Sequence, residues 1–70
     1  MVEVFKTTVS NNEEASTIKE LLLKELSGID IHFDLEDCDK ILRVEGIDFS
    51  VEHIINILNG AGFHCLVLED

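Results

Sequence analysis

The spacing of apolar and polar positions divides the chain into alternating strand-like and helix-like stretches, and the strongest is residues 10–28, SNNEEASTIKELLLKELSG. Ala15, Ile18, Leu22 and Leu26 recur there at helical spacing, with Leu21 widening the stripe. Ser10 and Asn11 each offer an N-cap, and Glu13 and Glu14 stand three residues after them, so either pairing closes a capping box. Both glutamates place negative charge at the positive end of the helix dipole. Gly28 supplies a left-handed residue to stop the helix. The pattern predicts a helix over about residues 12–27.

Before it, residues 2–9 (VEVFKTTV) are rich in β-branched and aromatic side chains and read as a strand. Val2 and Val4 fall on one face, Phe5 and Val9 on the other, as in a central strand. Residues 29–35 alternate most cleanly. Ile29, Ile31, Phe33 and Leu35 point one way and Asp30, His32 and Asp34 the other, a strand covered on one face. Residues 36–40 form a polar turn, and residues 41–45 return as a third strand with Leu42 and Val44 inward. So short a connection makes the pair an antiparallel hairpin. Residues 50–60 predict a second helix. Ser50 is its N-cap, Phe49 and Ile54 form a hydrophobic staple, and Val51, Ile54, Ile55 and Leu58 make the buried stripe. Gly60 or Gly62 ends it, and residues 63–68 form a last strand. The order β-α-β-β-α-β is the split βαβ arrangement of ferredoxin-like folds. The predicted class is therefore α+β, a ferredoxin-like sandwich. Right-handed crossovers put both helices on one face of a four-stranded antiparallel sheet ordered 4-1-3-2.

Seventy residues make a single domain, with 46% apolar residues, as expected of a folded globule. Fifteen acidic against five basic side chains give a net charge of −10. That balance argues against nucleic acid, which needs a basic face, and against anionic membrane. No apolar run approaches the ~20 residues of a membrane span, and the first residues do not read as a signal peptide. Cys38 and Cys65 are too few for a disulfide scaffold, so a reducing, cytoplasmic setting is expected.

Four stretches carry a family resemblance: Gly28-Ile29 after the first helix, FDLED at residues 33–37, LRVEG at 42–46, and FSVEHIINILNGAGF at 49–63. Together they make the chain similar, over nearly its whole length, to heavy-metal-associated domains, the copper-chaperone and metal-ATPase module. These motifs are chiefly fold determinants. The family's functional signature is M-x-C-x-x-C in the loop before the first helix, where this chain has Val9-Ser10-Asn11-Asn12-Glu13-Glu14. Asn11 and Glu14 take the places of the two thiolates when Ile18 sets the alignment. Alignment from Gly28 offers Asn12 and Ala15 instead. Neither supplies a cysteine. Cu(I) selects thiolates, and a two-sulfur site cannot be rebuilt from an amide and a carboxylate. The expectation is a degenerate metal site without a cofactor, in which Asn11, Glu13 and Glu14 cap the helix.

Other candidate ligands point the same way. Cys65 shares its strand face with Phe63 and Val67 and reads as a small core residue. Cys38 sits among Asp34, Glu36, Asp37 and Asp39, an acidic setting that blunts its reactivity. His32 and His64 fall on opposite edge strands, roughly 14 Å apart across three strand spacings. His53 lies in the first turn of the second helix. Ser10, Ser16, Ser27 and Ser50 read as caps or helix surface, with no histidine positioned by a motif, and no glycine-rich phosphate loop exists. Acylphosphatases share the architecture, but the arginine-bearing first loop that their chemistry needs is missing. The chain is not expected to be an enzyme.

Val2, Val4, Ile41, Leu66 and Leu68 should project from the sheet face opposite the helices, on strands the predicted order makes adjacent. Contiguous aliphatic patches of that kind often mark interaction sites. Lys6, Arg43 and Glu45 on the same face are the groups that would shield them in a monomer. The reading is a non-catalytic binding module, monomeric or weakly dimeric, with a protein partner on the open face. Two alternatives stand beside it: a metal-transport accessory with a non-standard site, and a small-molecule sensor with a pocket at the N-terminus of the first helix.

Overall fold

The computed structural model describes residues 1–36 and 38–68. Its elements are β1 (Val2–Thr7), α1 (Asn12–Glu25), β2 (Ile29–Asp34), β3 (Ile41–Gly46), α2 (Val51–Gly60) and β4 (Cys65–Val67). All three strand pairings are antiparallel. The strands lie in the order β2-β3-β1-β4, which from the other edge reads 4-1-3-2. Ile18 and Leu22 of α1 share one buried cluster with Ile54 and Leu58 of α2, and with Phe5, Ile31, Leu42, Val44 and Cys65 of the strands. Both helices therefore cover the same side of the sheet.

Capping decides where each helix begins and ends. At the start of α2, Ser50 Oγ accepts from the His53 N–H at 3.2 Å. At its end the Phe63 N–H donates to Leu58 O at 2.9 Å and the Gly62 N–H to Asn59 O at 3.1 Å. Gly62 sits in the left-handed region (φ 94°), so this is the Schellman arrangement with glycine just past the cap. Of the two candidate glycines Gly62 makes the stop, and Gly60 belongs to the last turn.

The stop of α1 differs from expectation. The helix ends at Glu25, and Leu26 is already extended while its N–H still donates to Leu22 O at 2.8 Å. Leu26 packs against the core from that extended backbone, so the apolar stripe is satisfied without the longer helix. Gly28 (φ 71°) turns the chain into β2 rather than closing the helix. Leu21, expected to widen the buried stripe, is exposed; Leu22 alone of the three consecutive leucines is buried. On α2 only Ile54 and Leu58 are fully buried, with Val51 and Ile55 packed at the margin.

Three strands are shorter than their sequence pattern, β2 by one residue, since it ends at Asp34 before Leu35. β1 stops at Thr7 because the Thr7 hydroxyl accepts from the Val9 N–H at 3.2 Å, a local bond that bends the chain two residues on. The same hydroxyl donates to Lys40 O at 2.7 Å. Thr7, the buried polar side chain among the described residues, thus ties the end of β1 to the β2–β3 connection. There Lys40 adopts φ 50°, and its Nζ donates to Leu35 O at 3.0 Å. β4 starts only at Cys65. The preceding His64 is held by Thr8, whose N–H donates to His64 O and whose hydroxyl accepts from the His64 N–H at 2.9 Å.

Candidate functional site

The loop between β1 and α1 is built around its two polar cap residues. Asn11 is the N-cap, with extended backbone, and its Oδ1 accepts from the Glu14 N–H at 2.8 Å. Glu14 Oε1 reaches back to accept from the Ser10 N–H at 2.9 Å and the Ser10 hydroxyl at 2.8 Å. The reciprocal bond of the capping box thus lands on the residue before the cap. Asn11 and Glu14 are therefore brought together, as cap partners. Asn12 is the first helical residue, and Ala15 is buried under the helix.

The Ser10 backbone N–H, then its hydroxyl, hold the Glu14 carboxyl below its ordinary value, against a smaller opposing effect of burial. A carboxyl lowered in the folded state adds stability above the unfolded-state value, about 4.3. That contribution disappears as pH falls through the folded value. Wild type is expected to exceed Glu14→Gln in urea midpoint at neutral pH, with the gap narrowing as pH drops below the ordinary carboxylate range. A gap of constant size down to strong acid would show that the carboxylate charge is not what the Ser10 donors stabilise.

Two open clefts flank this loop. The larger, about 500 Å³, has Ser10, Asn11 and Asn12 on one side and Phe33, Asp34, Leu35 and Glu36 on the other. The smaller, about 370 Å³, lies among Asn11, Glu13, Glu14, Thr17, Ala61 and Phe63. Among the described residues no group of three or more His, Cys, Asp and Glu side chains is placed to hold a metal ion. Cys65 is buried, and desolvation pushes its thiol up to about 11, so it stays protonated and inert at neutral pH. Cys38 is exposed in the β2–β3 turn; its expected neighbour Asp37 lies outside the described residues. His32 is exposed on edge strand β2, His64 is exposed just before β4 and not within it, and His53 is half-buried.

The open sheet face can be laid out from the strand registers. Across one row stand Asp30, Glu45 and Val2; across the next His32, Arg43 and Val4; across the third Asp34, Ile41, Lys6 and Leu66. Leu68 follows β4 and donates its N–H to Val4 O at 2.8 Å, which sets it beside the second row. Val2 and Leu66 are 51% and 66% exposed, whereas Val4, Ile41 and Leu68 are half-buried. Lys6 stands between Ile41 and Leu66, and Arg43 stands beside Val4. The aliphatic stems of long cationic residues cover apolar neighbours in that arrangement. The five expected patch residues therefore resolve into a strip of Val2, Val4, Leu66 and Leu68 on β1 and the β4 edge, with Ile41 set apart. Both cations are engaged by the chain's own acids: Lys6 Nζ lies 3.3 Å from Asp39 Oδ1 and Arg43 3.3 Å from Glu45 Oε1. Glu45 also lies 3.9 Å from His32 Nε2, a pair that carries charge on both sides only when the histidine is protonated.

Asp30 and Asp34 are not among the expected contact residues. Alternation and strand order place them on the open face of edge strand β2, across the sheet from that strip, and the register adds the rows in which they stand, with His32 between them. The fold and site together define a small α+β domain with one helix-covered and one open sheet face. No protein-family model, curated protein or solved structure matches the chain. No helix among the described residues is long and apolar enough to cross a membrane.

Proposed function

We propose that the chain is a non-catalytic interaction module: a ferredoxin-like domain of the heavy-metal-associated kind whose metal loop has been converted into a helix cap. The observation that carries this reading is the use of Asn11 and Glu14. At the positions where the resemblance would put two thiolates, an amide oxygen and a carboxylate oxygen are occupied by backbone and hydroxyl donors of the same loop. These are hard donors already committed to the fold, and Cu(I) discriminates strongly against them. With the loop closed to thiolate exchange, the open sheet face is the surface left for a partner.

The reading predicts that Cu(I), titrated against a strong chelator, binds no more tightly than to an unstructured acidic peptide. Stoichiometric high-affinity uptake would overturn it, and loss of that uptake in Cys38→Ser would relocate metal binding to the β2–β3 turn.

Small-molecule sensing is the second reading, favoured by the 500 Å³ cleft at the start of α1. Its chemistry suits an ammonium group, which Asp34 and Glu36 would hold from one side of the cleft while the amides of Asn11 and Asn12 face it from the other. A rise in melting temperature on adding one of a panel of amino acids, abolished by Asp34→Asn, would favour this reading over the first.

A further inference from the structure

We infer that the open sheet face receives a basic amphipathic segment of another protein, which sets aliphatic side chains on Val2, Val4, Leu66 and Leu68 and lysines or arginines over Asp30 and Asp34. The inference rests on the interaction-module reading and names the chemistry of the partner.

The strip and the acidic column lie on opposite sides of one surface. From β4 to β2 is three strand spacings, about 14 Å, within the span of about four or five extended residues. A short segment crossing the strands therefore meets both halves. Charge selects its sign. The chain carries fifteen acidic and five basic side chains, and both cations on this face, Lys6 and Arg43, are paired internally. Asp30 and Asp34 are exposed and have no ion pair among the described residues, so their charge is available to cations from outside. A second copy would bring −10 against −10, a repulsion that only salt relieves. Nucleic acid and anionic lipid are repelled for the same reason. The apolar strip adds what charge alone lacks, because burying an aliphatic side chain contributes to affinity at any ionic strength.

The test uses the isotope-labelled full chain, with NMR shifts read during titration with three two-block peptides, so that one end can lie on β1 and β4 and the other over β2: leucines then lysines, leucines then glutamates, and serines then lysines. The leucine–lysine peptide is expected to bind best, with shifts on β1, β4 and β2 and few in the α1 loop. Leu66→Lys, and separately Asp30→Lys with Asp34→Lys, should each weaken it by about tenfold or more. All three positions are exposed, and circular dichroism confirms that each variant is folded. If Leu66→Lys weakens binding while the aspartate pair does not, the apolar strip binds but Asp30 and Asp34 do not select a basic partner; the inference fails and the module reading stands. If the serine–lysine peptide binds as well as the leucine–lysine peptide and Leu66→Lys has no effect, attraction is by charge alone and the inference fails. If the shifts map to the helix N-terminus and no face variant matters, both fail. Sedimentation of wild type at micromolar concentration should show a monomer in low salt, shifting slightly toward dimer as salt rises. A tight low-salt dimer lost in Leu66→Lys would make a second copy the occupant and overturn the inference.

Discussion

Leu22→Ala is expected to lower stability by about 2–5 kcal/mol, the cost of deleting a fully buried leucine and leaving a partly collapsed cavity. Leu22 has no exposed surface and shares the core with Ile18, Ile54 and Leu58. At roughly 0.05–0.15 kcal/mol per residue, a domain of this length holds about 4–10 kcal/mol in total. Loss on this scale removes about half of it, enough to lower the urea midpoint by a large fraction while leaving the protein mostly folded in water. Leu21→Ala and Leu23→Ala provide the contrast, since these neighbours are 37% and 48% exposed. Each should cost less than about 1 kcal/mol. Urea melts of the three single variants read the difference directly, and equal losses at all three positions would mean that α1 is rotated from the orientation described.

Gly46→Ala should be destabilising through the contacts its added methyl would make. A Cβ there would stand 2.9 Å from Ile29 Cγ2 and 3.1 Å from Gly28 O, with Phe49 Cδ2 at 3.4 Å. The Gly28 carbonyl is backbone, and Ile29 is locked in the core and paired with Gly46 across the β2–β3 ladder. Neither can yield cheaply, and overpacking of this kind costs about 1–3 kcal/mol. The matched comparison is Gly60→Ala. A Cβ at Gly60 meets nothing within 4 Å, and the residue lies in the last turn of α2. Alanine there should gain about 0.5–1 kcal/mol through helix propensity and a less flexible unfolded chain. Thermal melts should therefore move in opposite directions for the two substitutions. A Gly46→Ala variant as stable as wild type would show that β2 and β3 are farther apart than the register allows.

Element types and their order were legible because each rests on local physics. Alternation at residues 29–35 needs only period two, and Ser50 needs only a hydroxyl one residue before a helical run. Boundaries were less legible where a side chain from elsewhere intervened. Thr7 ends β1 by bonding Val9 and Lys40, and a partner thirty-three positions away is invisible to a window of neighbours. Leu26 satisfies the core without being helical, a choice that local spacing cannot distinguish from one more turn.

The candidate site divides the same way. That Asn11 and Glu14 would cap α1 followed from their residue types and their spacing of three. Which of Ser10 and Asn11 is the cap, and where the glutamate's return bond lands, depended on the chain's entry from β1. The sequence by itself determined the acidic balance, the absence of a cysteine pair before α1, and which strand positions alternate inward and outward, since these need no coordinates. Only the tertiary structure decided which of three leucines is buried, that Gly46 lies hard against Ile29, and that Lys6 separates Ile41 from the aliphatic strip. It alone set the rows in which Asp30 and Asp34 stand, opposite Glu45 and Ile41. The physical reason is register: the period of a strand says which face a side chain takes, but only pairing with its neighbours says what it stands beside.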